Sequence, residues 1–134
     1  MAKQSFTPQT VREIERRGWV GIKADQQKMI RYKDKATHEM RQSVLAVDLA
    51  GMFDRLAIRP IEGGIAGIQV TSVANVAARR RKINDSQFLI PWLRSESPCL
   101  VWGWHKVGNR WRVREWQALL GPGYVVSWAE LTQG

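Results

Sequence analysis

The chain has 134 residues, room for one domain and little for a second. With 44% hydrophobic and 25% charged residues it has the composition of an ordinary globular protein, which excludes wholesale disorder. Twenty-one Lys and Arg stand against twelve Asp and Glu, a formal charge of +9 that exceeds what solubility requires, so a polyanionic partner is the first expectation.

Residues 7–17 predict a helix, with Thr7 before Pro8 in the first turn, Val11 and Ile14 facing inward, and Gly18 as the stop. Residues 19–24 read as a short strand. Residues 25–42 form a polar, basic segment with no clear period, in which Lys33, Lys35 and Arg41 are cations available to phosphates. Residues 44–47 and 53–59 read as strands, and Pro60 with Gly63 and Gly64 marks a turn into a further strand, residues 65–71, making an antiparallel hairpin. Thr71 or Ser72 caps a helix over residues 73–83 with the apolar stripe Val73, Val76, Ala77 and Ile83. Pro91 interrupts residues 86–94. Strands over 99–106 and 111–116 follow, joined by the turn Val107-Gly108-Asn109-Arg110. The order α-β-β-β-α-β-β, without repeats, predicts a single α/β domain with a central mixed β-sheet flanked by helices.

The sign of the charge changes along this order. Residues 1–47 carry ten bases and five acids and residues 72–94 five bases and one acid, whereas residues 48–71 hold three acids and two bases. A small acidic island therefore lies between two basic stretches, which fits phosphate-neutralising cations around a carboxylate centre as well as a merely solvated surface. The single cysteine, Cys99, has no internal partner, and no CxxC, HExxH or His-rich spacing marks a zinc site. No segment approaches the roughly 20 apolar residues of a membrane span, and the first ten residues lack the apolar run of a secretory signal. A cytoplasmic protein is the expectation.

Four polar residues converge on two adjacent predicted strands. Along residues 65–71 side chains alternate, so Ala66, Ile68 and Val70 share one face and Gln69 and Thr71 the other. Asp54 opens the preceding strand, and the turn at Gly63 and Gly64 brings that opening beside Gln69. Asp48 lies six residues earlier. Two plainer readings stand beside this one: Asp54 as a turn cap after Gly51, and Gln69 with Thr71 as a solvated strand edge. At 100° per residue Asn75, Arg79 and Lys82 lie close together beside the apolar stripe of the second helix, where they are either that helix's wet face or part of the same site.

The stretch Val47-Asp48-Leu49-Ala50-Gly51-Met52-Phe53-Asp54-Arg55-Leu56-Ala57-Ile58, followed by Gln69-Val70-Thr71-Ser72 and by Asn75, Arg79 and Lys82, resembles the PD-(D/E)XK nuclease superfamily, and within it the small archaeal and phage Holliday-junction resolvases. The resemblance covers the middle third of the chain and implies a restriction-endonuclease-like domain in a prokaryotic, archaeal or phage-infected cell. Asp54 matches the family's aspartate, while Gln69 and Thr71 replace its Glu and Lys. Glutamine still offers an oxygen to a hard cation, with one charge fewer. Threonine cannot supply an ammonium, so Lys82 or Arg79 is the candidate for a relocated cation.

The resemblance implies Mg2+-dependent hydrolysis of branched or duplex DNA by a homodimer, with Mn2+ as a substitute metal. Asp54, Gln69 and the Val70 carbonyl are the implied metal ligands, and Asp48 either binds a second ion or orients a water. Arg79, Arg80 and Arg81 neutralise phosphates. The alternative is a nucleic-acid-binding module of the same fold that has lost efficient catalysis because Gln-x-Thr replaces Glu-x-Lys. Seven tryptophans admit core packing, base stacking or burial in a dimer interface.

Overall fold

The computed structural model describes residues 5–24, 26–33, 40–47 and 49–131, with residues 26–33 and 40–47 described as backbone. The elements run α1 (Thr7–Arg16), β1 (Val20–Lys23), β2 (Gln26–Lys33), β3 (Met40–Val47), β4 (Arg55–Ile58), β5 (Ile65–Ser72), α2 (Val76–Asn84), α3 (Leu89–Arg94), β6 (Cys99–Val107), β7 (Arg110–Leu120) and β8 (Val126–Leu131). A 3-10 turn, Val73–Asn75, leads into α2. The fold is α/β, built on a six-stranded mixed sheet in the order β1-β4-β5-β6-β7-β8. Among the described strands only β5 and β6 are parallel, and the chain between them runs through α2 and α3. Such a crossover is what a parallel pair requires.

Alternation along the central strands divides the core between the two faces of the sheet. Ala66 and Ile68 of β5, with Leu100, Trp102 and Trp104 of β6, pack against Ile14 of α1 and Trp19. Their neighbours Cys99 and Val101 pack on the other side against Val76 and Ile83 of α2 and Leu89 of α3. Both faces of β5 and β6 are covered, which is why these segments read as nearly continuous apolar runs. Among the described residues no helix is long and apolar enough to cross a membrane.

The structure differs from the sequence reading at several places, each with a physical reason. In α1 the inward residues are Thr10 and Ile14, while Val11 is exposed. The Thr10 hydroxyl is tolerated inside because it accepts the Trp104 indole N–H at 3.1 Å. Helix α2 is a residue or two shorter than expected because Val73–Asn75 is a 3-10 turn, and Ala77 faces solvent. Pro91 does not break α3: it is the third residue of that helix, where the backbone N–H has no intrahelical acceptor anyway. The basic segment forms β2, which pairs with β3 in a separate two-stranded sheet. Strand β8 is an element the sequence reading lacks; in it Val126, Trp128 and Leu131 are half-buried and Ser127 and Glu130 exposed, a near-alternation after the turn at Pro122 to Tyr124.

The tryptophans are mainly structural. Trp19, Trp102, Trp104 and Trp116 are buried, and Trp92, Trp111 and Trp128 half-buried. The indole N–H groups of Trp19, Trp92, Trp102, Trp104 and Trp128 each donate to a protein oxygen, as buried indoles require.

Candidate functional site

The approach to Asp54 is set by a tight turn. Ala50 and Gly51 both have positive φ, 55° and 68°, and Met52 N–H closes the turn on the Leu49 carbonyl at 3.0 Å. Gly51 adopts this conformation without a Cβ penalty. Ser86 pins the turn by donating its hydroxyl to the Ala50 carbonyl at 3.1 Å. The next two residues, Met52 and Phe53, are completely buried. Phe53 lies with its ring over Gly67, so close that a Cβ there would fall 2.4 Å from the ring, and its centroid is 4.7 Å from that of Trp92. Two apolar anchors thus fix the backbone at the residue before Asp54.

Asp54 sits where β4 and β5 part. The paired run ends at Arg55↔Ile68, and the next residue along each strand is Asp54 and Gln69. The Asp54 N–H donates to the Ile68 carbonyl at 3.2 Å, and the Asp54 carbonyl accepts the Ala24 N–H at 3.1 Å. Its carboxylate Oδ2 accepts the Val70 N–H at 3.4 Å. The aspartate, half-buried, is therefore held at the backbone of the Gln69-Val70-Thr71 segment, so its carboxylate serves as a cross-strand acceptor as well as following a turn.

Gln69 and Thr71 lie in β5 on the face that packs toward α2, opposite Val101 and Gly103 of β6. They are buried, 2% and 5% exposed, and so do not form a solvated strand edge. Val70 is half-buried on the other face. Lys82 lies in the last turn of α2, the helix that packs on the face of β5 holding Gln69 and Thr71. Lys82 and Arg81 are exposed, whereas Arg79 and Arg80 are half-buried. The three consecutive arginines do not present one face, because successive helical positions are turned by 100°. The Arg80 Nε is buried without a hydrogen-bond partner among the described residues. Asn75 is exposed at the start of α2 and its side chain does not cap the helix. The backbones of Lys33 and Arg41 lie in β2 and β3, while Asp48 and Lys35 fall outside the described residues.

No group of three or more His, Cys, Asp or Glu that could hold a metal occurs among the described residues. At the strand ends the Asp54 carboxylate meets the backbone of the adjoining strand at the Val70 N–H, and Gln69 is the residue next in register. Carboxylate, amide and backbone oxygens are the donor types that a hard ion such as Mg2+ takes, and these residues include no His or Cys of the kind that marks a structural zinc site.

Two further groupings escaped the sequence reading. Glu13 of α1 joins Arg16 and Arg17, and Arg17 reaches the buried Glu115 of β7 at 2.6 Å, which also accepts the Trp102 indole N–H at 2.7 Å. This network ties α1 to the sheet and commits Glu13 to a structural role. Burial raises the Glu13 pKa, but hydrogen bonds and charge from Arg16 and Arg17 outweigh it and hold the carboxyl below its ordinary value. Beside the network opens a cleft of about 340 Å³ lined by Gln9, Arg12, Glu13 and Arg16 of α1, Trp104, and Arg110, Trp111 and Arg112 of β7. The available signals were the i, i+4 spacing of Arg12 and Arg16 and the Arg-Trp-Arg run at 110–112. No family model matches this sequence, and neither a curated protein nor a solved structure matches it.

Proposed function

We propose that the protein is a metal-dependent, structure-selective endodeoxyribonuclease of the PD-(D/E)XK kind, with a restriction-endonuclease-like core and branched DNA, four-way junctions foremost, as substrate. The observation that carries the reading is the placement of Asp54 at the opening of β4, its carboxylate on the Val70 N–H between Gln69 and Thr71. In support, once the β2–β3 pair and α3 are set aside, α1, β1, β4, β5, α2 and β6 follow in an order compatible with such a core, with β5 parallel to β6.

Asp54, the Gln69 amide oxygen and the Val70 carbonyl are the residues that would hold Mg2+ or Mn2+. When bound, the ion supplies Lewis-acid polarisation of a phosphoryl oxygen and lowers the pKa of a coordinated water. The Val70 N–H and the turn at 49–53 fix the Asp54 carboxylate in place, so little reorganisation is left for substrate binding. Lys82, in the last turn of α2, supplies positive charge where Thr71 cannot. Arg79, Arg81 and Asn75 hold the flanking phosphates, as do Lys33, Lys35 and Arg41 on the basic segment. Paired incisions across a junction call for a twofold dimer.

The burial of Gln69 and Thr71 favours a second reading, a DNA-binding module that retains the fold with little turnover. The two separate on labelled four-way junction, flap and linear duplex incubated with Mg2+, Mn2+ or EDTA. The nuclease gives metal-dependent nicks that Asp54→Asn abolishes, and Lys82→Ala slows turnover more than it weakens binding. Tight junction binding without product in either metal identifies the binding module, and cutting by Asp54→Asn as fast as by the parent refutes the site.

A further inference from the structure

We infer that the cleft between α1 and the β6–β7 hairpin is a second nucleic-acid contact, one that takes an unpaired strand by its phosphates and stacks a base on Trp111. It goes beyond the reading of Asp54, since it lies on the sheet face covered by α1, whereas Gln69 and Thr71 face α2.

Charge is the first support. Four arginines, Arg12, Arg16, Arg110 and Arg112, line the cleft against a single carboxylate, Glu13, which is already bound by Arg16 and Arg17. Arg12, Arg110 and Arg112 are exposed and make no ion pair or hydrogen bond among the described residues. Structural arginines on this protein look different: Arg17 is paired to two glutamates and Arg114 to Glu130. A cluster of solvated guanidinium groups with no internal counter-ion is suited to an external polyanion, and their planar forks match phosphate.

The aromatic wall is the second. Trp104 is buried and locked by its hydrogen bond to Thr10, so it forms a rigid floor. Trp111 is half-buried, and its indole N–H makes no hydrogen bond among the described residues, unlike those of five other tryptophans. Phe6 meets its ring edge-on at 5.4 Å between centroids and steadies it, and the mobile-stemmed Lys106 ammonium lies 5.2 Å from the ring centre. A steadied, partly open indole beside a lysine, in a cleft whose lining includes arginines, is an arrangement that binds unpaired bases and their phosphates without reading sequence. A duplex, whose bases are stacked on each other, cannot use the indole. That difference selects a single strand, such as the displaced arm of a branched substrate.

Fluorescence anisotropy with a fluorescein-labelled oligo-dT and with a duplex of equal length, in EDTA so that nothing is cut, tests this separately from the Asp54 site. The single strand should bind more tightly than the duplex. Trp111→Leu should weaken single-strand binding about fivefold or more while leaving duplex binding nearly unchanged. Arg110→Ala with Arg112→Ala should lower the salt dependence of single-strand binding, log K against log salt, by about 1.4. Arg94→Ala, which removes one charge from α3, should have a smaller effect than Arg112→Ala. Because Arg112 is exposed, that variant keeps the test alive if Trp111→Leu does not fold. Equal losses from Arg94→Ala and Arg112→Ala, or duplex binding that falls as much as single-strand binding in Trp111→Leu, would overturn the inference. Failure of Asp54→Asn to abolish cutting bears only on the nuclease reading.

Discussion

Gly67 should be the least replaceable small residue near the candidate site. It lies in β5, paired with Leu56 on one side and Cys99 on the other, and a methyl group there would fall 2.4 to 2.5 Å from three carbons of the Phe53 ring. Ordinary carbon contacts are about 3.5 to 4.0 Å, so the overlap in Gly67→Ala is roughly 1 Å. Phe53 is fully buried against Trp92, and the strand is held by neighbours on both edges, so neither side can yield freely. Overpacking of this kind costs about 3 kcal/mol at the upper end of its range. The reduced freedom of alanine in the unfolded chain offsets about 0.5 to 1 kcal/mol. A net loss of about 2 kcal/mol should appear in urea unfolding followed by tryptophan fluorescence, with Tm lower by about 6 to 10 °C. Phe53→Leu, costing about 1 kcal/mol alone, makes room for the methyl group, so the double variant should be more stable than the sum of the two predicts. Gly67→Ala within about 0.5 kcal/mol of the parent, or strictly additive losses, would refute this account of how the backbone before Asp54 is held.

Three other outcomes follow from the buried groups. Glu115→Ala should cost about 3 kcal/mol in the same unfolding assay, because it strips Arg17 of one buried partner and leaves the Trp102 indole N–H without its acceptor, while Glu115→Gln should cost less. Glu13, whose folded-state pKa lies below its unfolded value, contributes stability above about pH 5 that is lost as pH falls through the folded pKa, so Glu13→Gln should flatten the fall of Tm on acidification. Burial pushes the Cys99 thiol up to about 12, so a thiol reagent at mildly alkaline pH should label it in urea and leave the native protein unlabelled; rapid native labelling would contradict its packing.

The parts of the fold that sequence made legible are those where local pattern and tertiary packing agree. The β4–β5 hairpin follows from a turn at Gly63 and Gly64, both at positive φ, and from alternation ending in Gln69 and Thr71. Asp54 and Gln69 were expected as neighbours for that reason, and the register ends with them as the next residues. Where pattern was weaker than packing, it misled. Val11 looks like a core residue by polarity, but α1 is turned so that Thr10 meets the Trp104 indole, a contact 94 residues distant in the chain. Arg79, Arg80 and Arg81 look like one basic patch as text, yet the helix divides them between half-buried and exposed positions. The Glu13–Arg17–Glu115 network and the arginine-lined cleft depend on α1 meeting β7, which no local spacing encodes.

Strand β5 lends alternate residues to two separate apolar layers, Ala66 and Ile68 to one side and Gly67, beneath Phe53, to the other. Neither layer can melt while its counterpart stays intact, because each needs the same eight-residue backbone as its floor. Denaturation should thus be all-or-none across the six-stranded sheet, and it would dissolve the Asp54 corner together with the helices on both sides. Variants in this strand must accordingly be sorted by melting temperature before any functional loss is assigned to the Asp54 corner.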